Sequence, residues 1–250
     1  MKSTVQPLHI IFAALIALAF AACENDIAEK LDLPAHLGST LKINEPMWEL
    51  NPDAMRFKDA YKNYSETNRA ITAHCLAADG TPKQMPETGY LGSIAGGRLS
   101  VEVSALEQAC LLDIDLLAHD IFSEWKNVAV DAPAGTKGNN VVFMVYDGGT
   151  PIGMLNKEKY STTSFHIALN SVLYVYVTDD CHITGSYGSG YKNMDSFYYT
   201  EEDLNLALKK GWNTVFRKQS YSQSGSEAVS VGLQNPIDCK WVIRNYVLNP

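Results

Sequence analysis

A mainly β fold is expected: an antiparallel β-sandwich carrying one amphipathic helix at about 104–125. Three observations predict it. Thirteen tyrosines and seventeen glycines, with frequent Val, Thr and Ser, favour strands and turns over helices. Short alternating or β-branched runs recur along the chain, separated by Gly, Pro and Asp turns. Helical spacing is sustained along one stretch, where Leu106, Cys110, Ile114, Leu117 and Ile121 repeat at intervals of three and four.

The chain opens with a leader. Lys2 precedes the apolar run Leu8–Ala22 (LHIIFAALIALAFAA), whose core is shorter than the roughly 20 residues a bilayer span needs. Three fates compete: retention as a membrane anchor, cleavage after Ala19-Phe20-Ala21, and cleavage before a lipidated Cys23. A retained anchor lacks a flanking charge cluster to stop its transfer. Cysteine parity favours lipidation, because modifying Cys23 leaves four of the five cysteines, an even number for an oxidising compartment. Residues 1–22 are thus a signal peptide and 23–40 a lipidated tether, broken by Pro34 and Gly38 and spanning about 20–25 Å as a flexible coil.

Phe20-Ala21-Ala22-Cys23, followed by Glu24-Asn25-Asp26, resembles the start of Bacteroidota-type bacterial surface lipoproteins. The resemblance covers about the first thirty residues. It implies a diacylated Cys23 held at the outer membrane, with the acidic residues directing the chain to the cell surface. Two acyl chains make such anchoring stable, where a single chain binds only marginally.

Residues 41–250 form the expected domain, with a candidate internal boundary at the Pro/Gly loop 131–140. Leu41–Leu50 reads as extended, with Pro46 marking an edge or bend. Ala54–Tyr64 reads as two or three helical turns, and Asn68–Leu76 alternates as a strand. Tyr90–Ile94 and Leu99–Val103 flank Ala95-Gly96-Gly97-Arg98, a hairpin signal, since glycines permit the positive φ of a tight turn. Ser104 with Glu107 has the spacing of a capping box for the helix that follows, which buries Cys110. Beyond the loop, strands are expected at 141–146, 152–155, 162–169 and 171–178, the last (SVLYVYVT) the most strongly β stretch in the chain. Asp179-Asp180 turns the chain into Cys181–Ser186. At 200–210 a capping box (Thr200, Asp203) argues for helix, but Leu204, Leu206 and Leu208 alternate with period two and favour a strand. Lys209-Lys210-Gly211 then reads as a hairpin turn into Trp212–Phe216, and Lys240–Val247 closes the sheet. Leu208–Asn213, after Tyr174–Val177, also resembles the C-terminal β region of bacterial lipoproteins of this kind, which implies a β-sandwich and no assigned activity.

After loss of Lys2 with the leader, 28 acidic residues stand against 19 basic ones among the remaining 228, a balance that disfavours nucleic acid as a partner. The four other cysteines allow three pairings. Cys181 opens one strand and Cys239 precedes the last, so a Cys181–Cys239 bridge between neighbouring strands is natural, leaving Cys75 with Cys110; the competing account is that they are small buried hydrophobes. No metal site or cofactor is expected: there is no Cys-x-x-Cys, and His74-Cys75 and Cys181-His182 point to opposite faces of their strands. No Gly-x-Ser-x-Gly elbow, phosphate loop or dinucleotide fingerprint occurs, so no catalytic residue is assigned. The remaining candidates are aromatic. Trp212, Tyr187 and Tyr191 fall near Gly/Ser-rich loops, where exposed rings stack on sugars, against the alternative that they pack across strands within the sheet. The chain is therefore expected to be a lipid-anchored cell-envelope protein of binding or structural type, facing the exterior and taking a glycan or another envelope protein. The alternative is an envelope polysaccharide hydrolase.

Overall fold

The computed structural model describes residues 36–50, 61–64, 68–77, 82–85, 91–121, 126–162, 166–193, 196–222, 227–232 and 238–244. In chain order the elements are β1 (His36–Gly38), β2 (Leu41–Leu50), β3 (Tyr61–Asn63), β4 (Arg69–Leu76), β5 (Pro82–Gln84), β6 (Leu91–Ala95), β7 (Arg98–Val103), a 3-10 turn (Gln108–Cys110), β8 (Leu112–Asp113) and helix α1 (Ile114–Ile121). Then follow β9 (Lys126–Asp131), β10 (Lys137–Asp147), β11 (Thr150–Thr162), β12 (His166–Val177), β13 (Cys181–Asn193), β14 (Ser196–Leu208), β15 (Gly211–Ser222), β16 (Glu227–Gly232) and β17 (Lys240–Arg244).

The larger sheet is closed. β10 forks: Gly138–Val141 pair with β12, whereas Phe143–Asp147 pair with β11. The far half of β11, Lys157–Thr162, pairs back onto β12. The opposite edge of β10 pairs with β4, and antiparallel pairings lead on through β6 and β7 to β2. At Pro46 the chain leaves its pairing with β7, and Met47 and Trp48 run parallel to β17, which returns to β11. The circuit β10-β12-β11-β17-β2-β7-β6-β4 is an eight-strand barrel. The expected sandwich is corrected accordingly. Alternation shows that one face of a strand is buried, not whether its sheet meets a second sheet or curls upon itself. Closure here depends on β2 meeting β17, a contact between opposite ends of the chain that no local pattern encodes.

Side chains of alternating strand residues fill the barrel. Leu41, Ile43 and Met47 of β2, Leu99, Val101 and Val103 of β7, and Phe143 and Val145 of β10 meet Tyr174 and Trp241 in one core. A three-stranded sheet, β14-β13-β9, lies outside. With α1 it forms a second core, in which Ile183, Leu204, Leu206, Leu208 and Leu117 pack on Val175, Val177 and Val215. β12 serves both cores, Tyr174 and Tyr176 pointing into the first and Val175 and Val177 into the second.

The β6–β7 hairpin forms as expected, with Gly96 and Gly97 at φ of 56° and 75°. Residues 200–208 are strand. The helix expected at 104–125 is replaced by a 3-10 turn, a bridging strand and an eight-residue helix, with 122–125 outside the described residues. Its apolar stripe divides: Leu106 and Cys110 enter the first core, Ile114 and Leu117 the second. One straight helix cannot face two cores. The Ser104 carbonyl accepts the Trp212 indole N–H at 3.1 Å, and no side-chain cap forms at Glu107. The helical turns expected at 54–64 end in strand β3, with 51–60 outside the described residues. His36–Gly38, expected within the tether, pair with β15.

Residues 32–250 form one compact unit, so the loop within 131–140 is no domain boundary but a passage between sheets. The chain passes between the sheets four times: from β8 to β9 through α1, and then by three direct passages, from β9 to β10, β12 to β13 and β14 to β15. Register gathers them side by side, since Val177 lies opposite both Gly138 and Gly211. Lys209-Lys210 is accordingly no hairpin turn: β14 and β15 lie in different sheets. Thr178 N donates to Lys137 O at 2.8 Å and Thr178 Oγ1 accepts Lys137 N at 2.9 Å. The Asn213 side chain accepts from Lys209 N at 2.9 Å and donates to Lys209 O at 2.7 Å. Asp180 takes Lys210 N at 2.9 Å and the Lys209 ammonium at 2.8 Å, and these bonds, the lysine side chain's first, hold its carboxyl below the usual range. At Gly211, φ is +104° and a Cβ would stand 2.4 Å from Gly38 O, so no other residue fits.

Asn139, fully buried, ties β10 to its surroundings. Its amide donates to Leu76 O at 2.8 Å and Cys110 O at 2.6 Å, and its carbonyl accepts from Leu76 N at 3.1 Å and Asn140 N at 2.7 Å. Asn139→Ala orphans these backbone groups and should lower stability by about 3 kcal/mol. Urea unfolding at unchanged m-value measures this, and a loss under about 1 kcal/mol would mean that the clamp is dispensable.

Candidate functional site at one end of the barrel

β11 runs unbroken through Asn156-Lys157-Glu158-Lys159, which the sequence reading leaves as a gap between two short strands. Strand alternation sends adjacent charges to opposite faces. Lys157 follows Leu155 into the barrel, where its ammonium meets Glu45 Oε1 at 2.8 Å. The Lys157 side chain is 7% exposed and that of Glu45 38%, so the pair opens to solvent on the carboxylate side. Lys157 Nζ also lies 5.9 Å from the centroid of the Trp241 ring. Trp241 stacks on Tyr174 at 5.7 Å and 8°, with the edge of Phe143 against both. The Trp241 indole N–H is buried and meets no acceptor among the described residues. On the outer face, Glu158 is paired with Arg244 while its backbone carbonyl accepts the Tyr61 hydroxyl at 3.4 Å. Lys159 approaches Asp238 at 4.0 Å.

Electrostatics bind these groups together. Burial, then the nearby Glu45 and Cys239, hold the Tyr174 hydroxyl well above the usual tyrosine range. Burial pushes the Cys239 thiol up to about 11, against the pull of Lys157 and Lys159 and with the push of Glu158 and Asp238. The barrel end thus offers a buried cation, a carboxylate that solvent can reach and an N–H lacking an acceptor. Such a constellation suits recognition of an acceptor group.

Two other places were candidates. On the outside of β4, His74 Nε2 lies 2.8 Å from Thr72 Oγ1 and 3.5 Å from the Tyr146 hydroxyl, burial lowers its pKa, and its Nδ1 has no partner among the described residues. A cleft of about 240 Å³ between the start of α1 and residues 132–136 is rimmed by Asp113 and Asp115. The Thr136 hydroxyl in its wall is already bonded to Pro133 O at 2.7 Å.

The residues singled out from sequence fare differently. Trp212 is fully buried in the barrel core, edge-on to Tyr176 at 5.3 Å, and offers no face to a sugar. For Trp212, packing within the sheet is the alternative that holds. Tyr187 and Tyr191 lie on β13 opposite Glu202 and Tyr198, their side chains outside the described residues. Cys23 also lies outside them. Cys181 and Cys239 are thiols. Cys181 belongs to the second core and Cys239 borders the first, so the expected Cys181–Cys239 bridge is corrected: their strands are not neighbours. Cys75 and Cys110 are buried in the same core. His74 and Cys75 do face opposite sides, as do Cys181 and His182, whose Nε2 lies 2.6 Å from Asn205 Oδ1. Among the described residues no three His, Cys, Asp or Glu side chains converge on a metal position, and no helix is long and apolar enough to cross a membrane. Lys157 and Glu45 escape sequence reading because charges mask an alternation that continues from Leu155.

Compared with known proteins, the chain matches no family model, and neither a curated protein nor a solved structure is similar to it.

The raised thiol of Cys239 has a measurable consequence. At pH 8 it should carry roughly a hundred-fold less thiolate than an ordinary cysteine, and native-state alkylation should climb about tenfold per pH unit towards pH 11. A neutral thiol favoured by the fold contributes stability that is fully present below the unfolded pKa and lost as pH rises from about 9 to 11. Following peptide 238–244 by mass spectrometry reads the rate; fast labelling at pH 7 would contradict it.

Proposed function

We propose that the chain is a lipid-anchored envelope protein of binding type, tethered through Cys23 and presenting the Glu45 end of its barrel as its recognition site. The buried Trp241 N–H, which has no acceptor among the described residues, beside the Glu45–Lys157 pair carries the binding reading. A buried donor without a partner forfeits about 1–3 kcal/mol, which an arriving acceptor restores. An eight-stranded barrel is the size that side chains fill or that holds one small ligand. The apolar run ending at Phe20-Ala21-Ala22-Cys23 supports the anchor. The hydrolase alternative needs two converging carboxylates free for acid and base work. Glu45 and Glu158 at this end face opposite sides of the barrel wall, each engaged by a cation.

Cys23→Ser should abolish metabolic labelling by palmitate and move the protein from the detergent phase to the aqueous phase in Triton X-114 partition. Unchanged labelling would remove the anchor. The same lipid-free variant, applied to an array of envelope saccharides, tests glycan binding; a blank array would remove that ligand class.

A further inference from the structure

We infer that the barrel end binds its ligand through a carboxylate, which takes the place of Glu45 on the Lys157 ammonium. This deepens, and rests on, the binding reading above. The argument starts from the asymmetry of the ion pair. Lys157 is held in place by burial, at 7% exposure, whereas Glu45 stands 38% exposed. An incoming anion can therefore exchange for Glu45, which has water to turn to, without stranding a buried charge. The exchange conserves charge balance around Lys157, as a neutral ligand would not, because a buried ammonium without an anion is strongly disfavoured. The Trp241 N–H is a second donor, on the ring whose centroid lies 5.9 Å from the ammonium, and it has no acceptor among the described residues. A carboxylate brings two acceptor oxygens to such donors, where a hydroxyl or an amide brings one. Phe143 and Tyr174 pack on the Trp241 ring, and such apolar surroundings strengthen a polar contact made beside them. Such a carboxylate comes with either of two bodies, an acidic sugar or a short aliphatic acid.

Calorimetric titration of the Cys23→Ser protein with D-glucuronate, D-glucose, hexanoate and hexanol separates them. At least one acid should bind while its neutral counterpart does not, and the acid that binds identifies the body. In the Glu45→Gln background, with the competing carboxylate gone, that acid should bind about tenfold more tightly. Lys157→Met should weaken it at least about tenfold. Should Lys157→Met fail to fold, as judged by its thermal transition, the half-exposed and isosteric Glu45→Gln change still decides the question. Equal affinity for acid and neutral probe, or an unchanged constant in Glu45→Gln, overturns carboxylate exchange and leaves the binding reading standing. No heat from any of the four probes also overturns it. A blank saccharide array alongside that silence removes the glycan reading as well.

Discussion

Val172, Tyr174, Val175, Tyr176 and Val177 are each at least nine-tenths buried, and their side chains alternate between two different cores. This double burial of β12 is the constraint on which the rest of the structure depends. A strand with apolar side chains on both faces needs cover on both, and one barrel wall supplies only one cover. The three-stranded sheet and α1 supply the other. That arrangement forces the chain to leave the barrel sheet and return to it twice, and three of the four passages converge on the ends of β10, β12 and β15. Their backbone groups, excluded from either ladder, are satisfied by Thr178, Asp180 and Asn213. Burying such groups unpaired would cost far more than these short polar side chains do.

The charged run of β11 obeys the same geometry with opposite chemistry. Lys157 and Glu158 are adjacent in sequence, yet one lies inside the barrel and the other outside, each beside its own counter-ion. A buried ion pair seldom adds net stability, because desolvating both charges consumes most of their attraction. Apolar residues of similar size would hold this part of the wall as well. Net stability therefore does not account for the Glu45–Lys157 pair in this wall.

Legibility followed the range of the interactions. The β6–β7 hairpin was readable because Gly96-Gly97 and the alternation of RLSVEV are both local, and β10 and β12 because continuous β-branched runs need no partner to identify them. The 104–125 stripe has the spacing of one helix face, yet its residues serve two cores. Trp212 follows the packing alternative rather than the sugar-stacking one, because β15 crosses directly into the barrel sheet and takes the ring inside. Lys157 and Glu45 were invisible as a pair, being 112 residues apart with nothing in either segment pointing to the other.

By itself the sequence determined the β character of the chain, the positions of most strands and turns, and an apolar run, Leu8–Ala22, set directly before Cys23. These follow from side-chain periodicity, backbone preference and transfer to apolar surroundings, which act within a few residues. Tertiary structure alone decided that the sheet closes as a barrel, that β12 is shared between two cores, and which charges meet within the barrel. Those outcomes depend on pairings such as β2 with β17 and on alternation relative to a closed surface. Inside and outside have no meaning for a strand until the last one is in place.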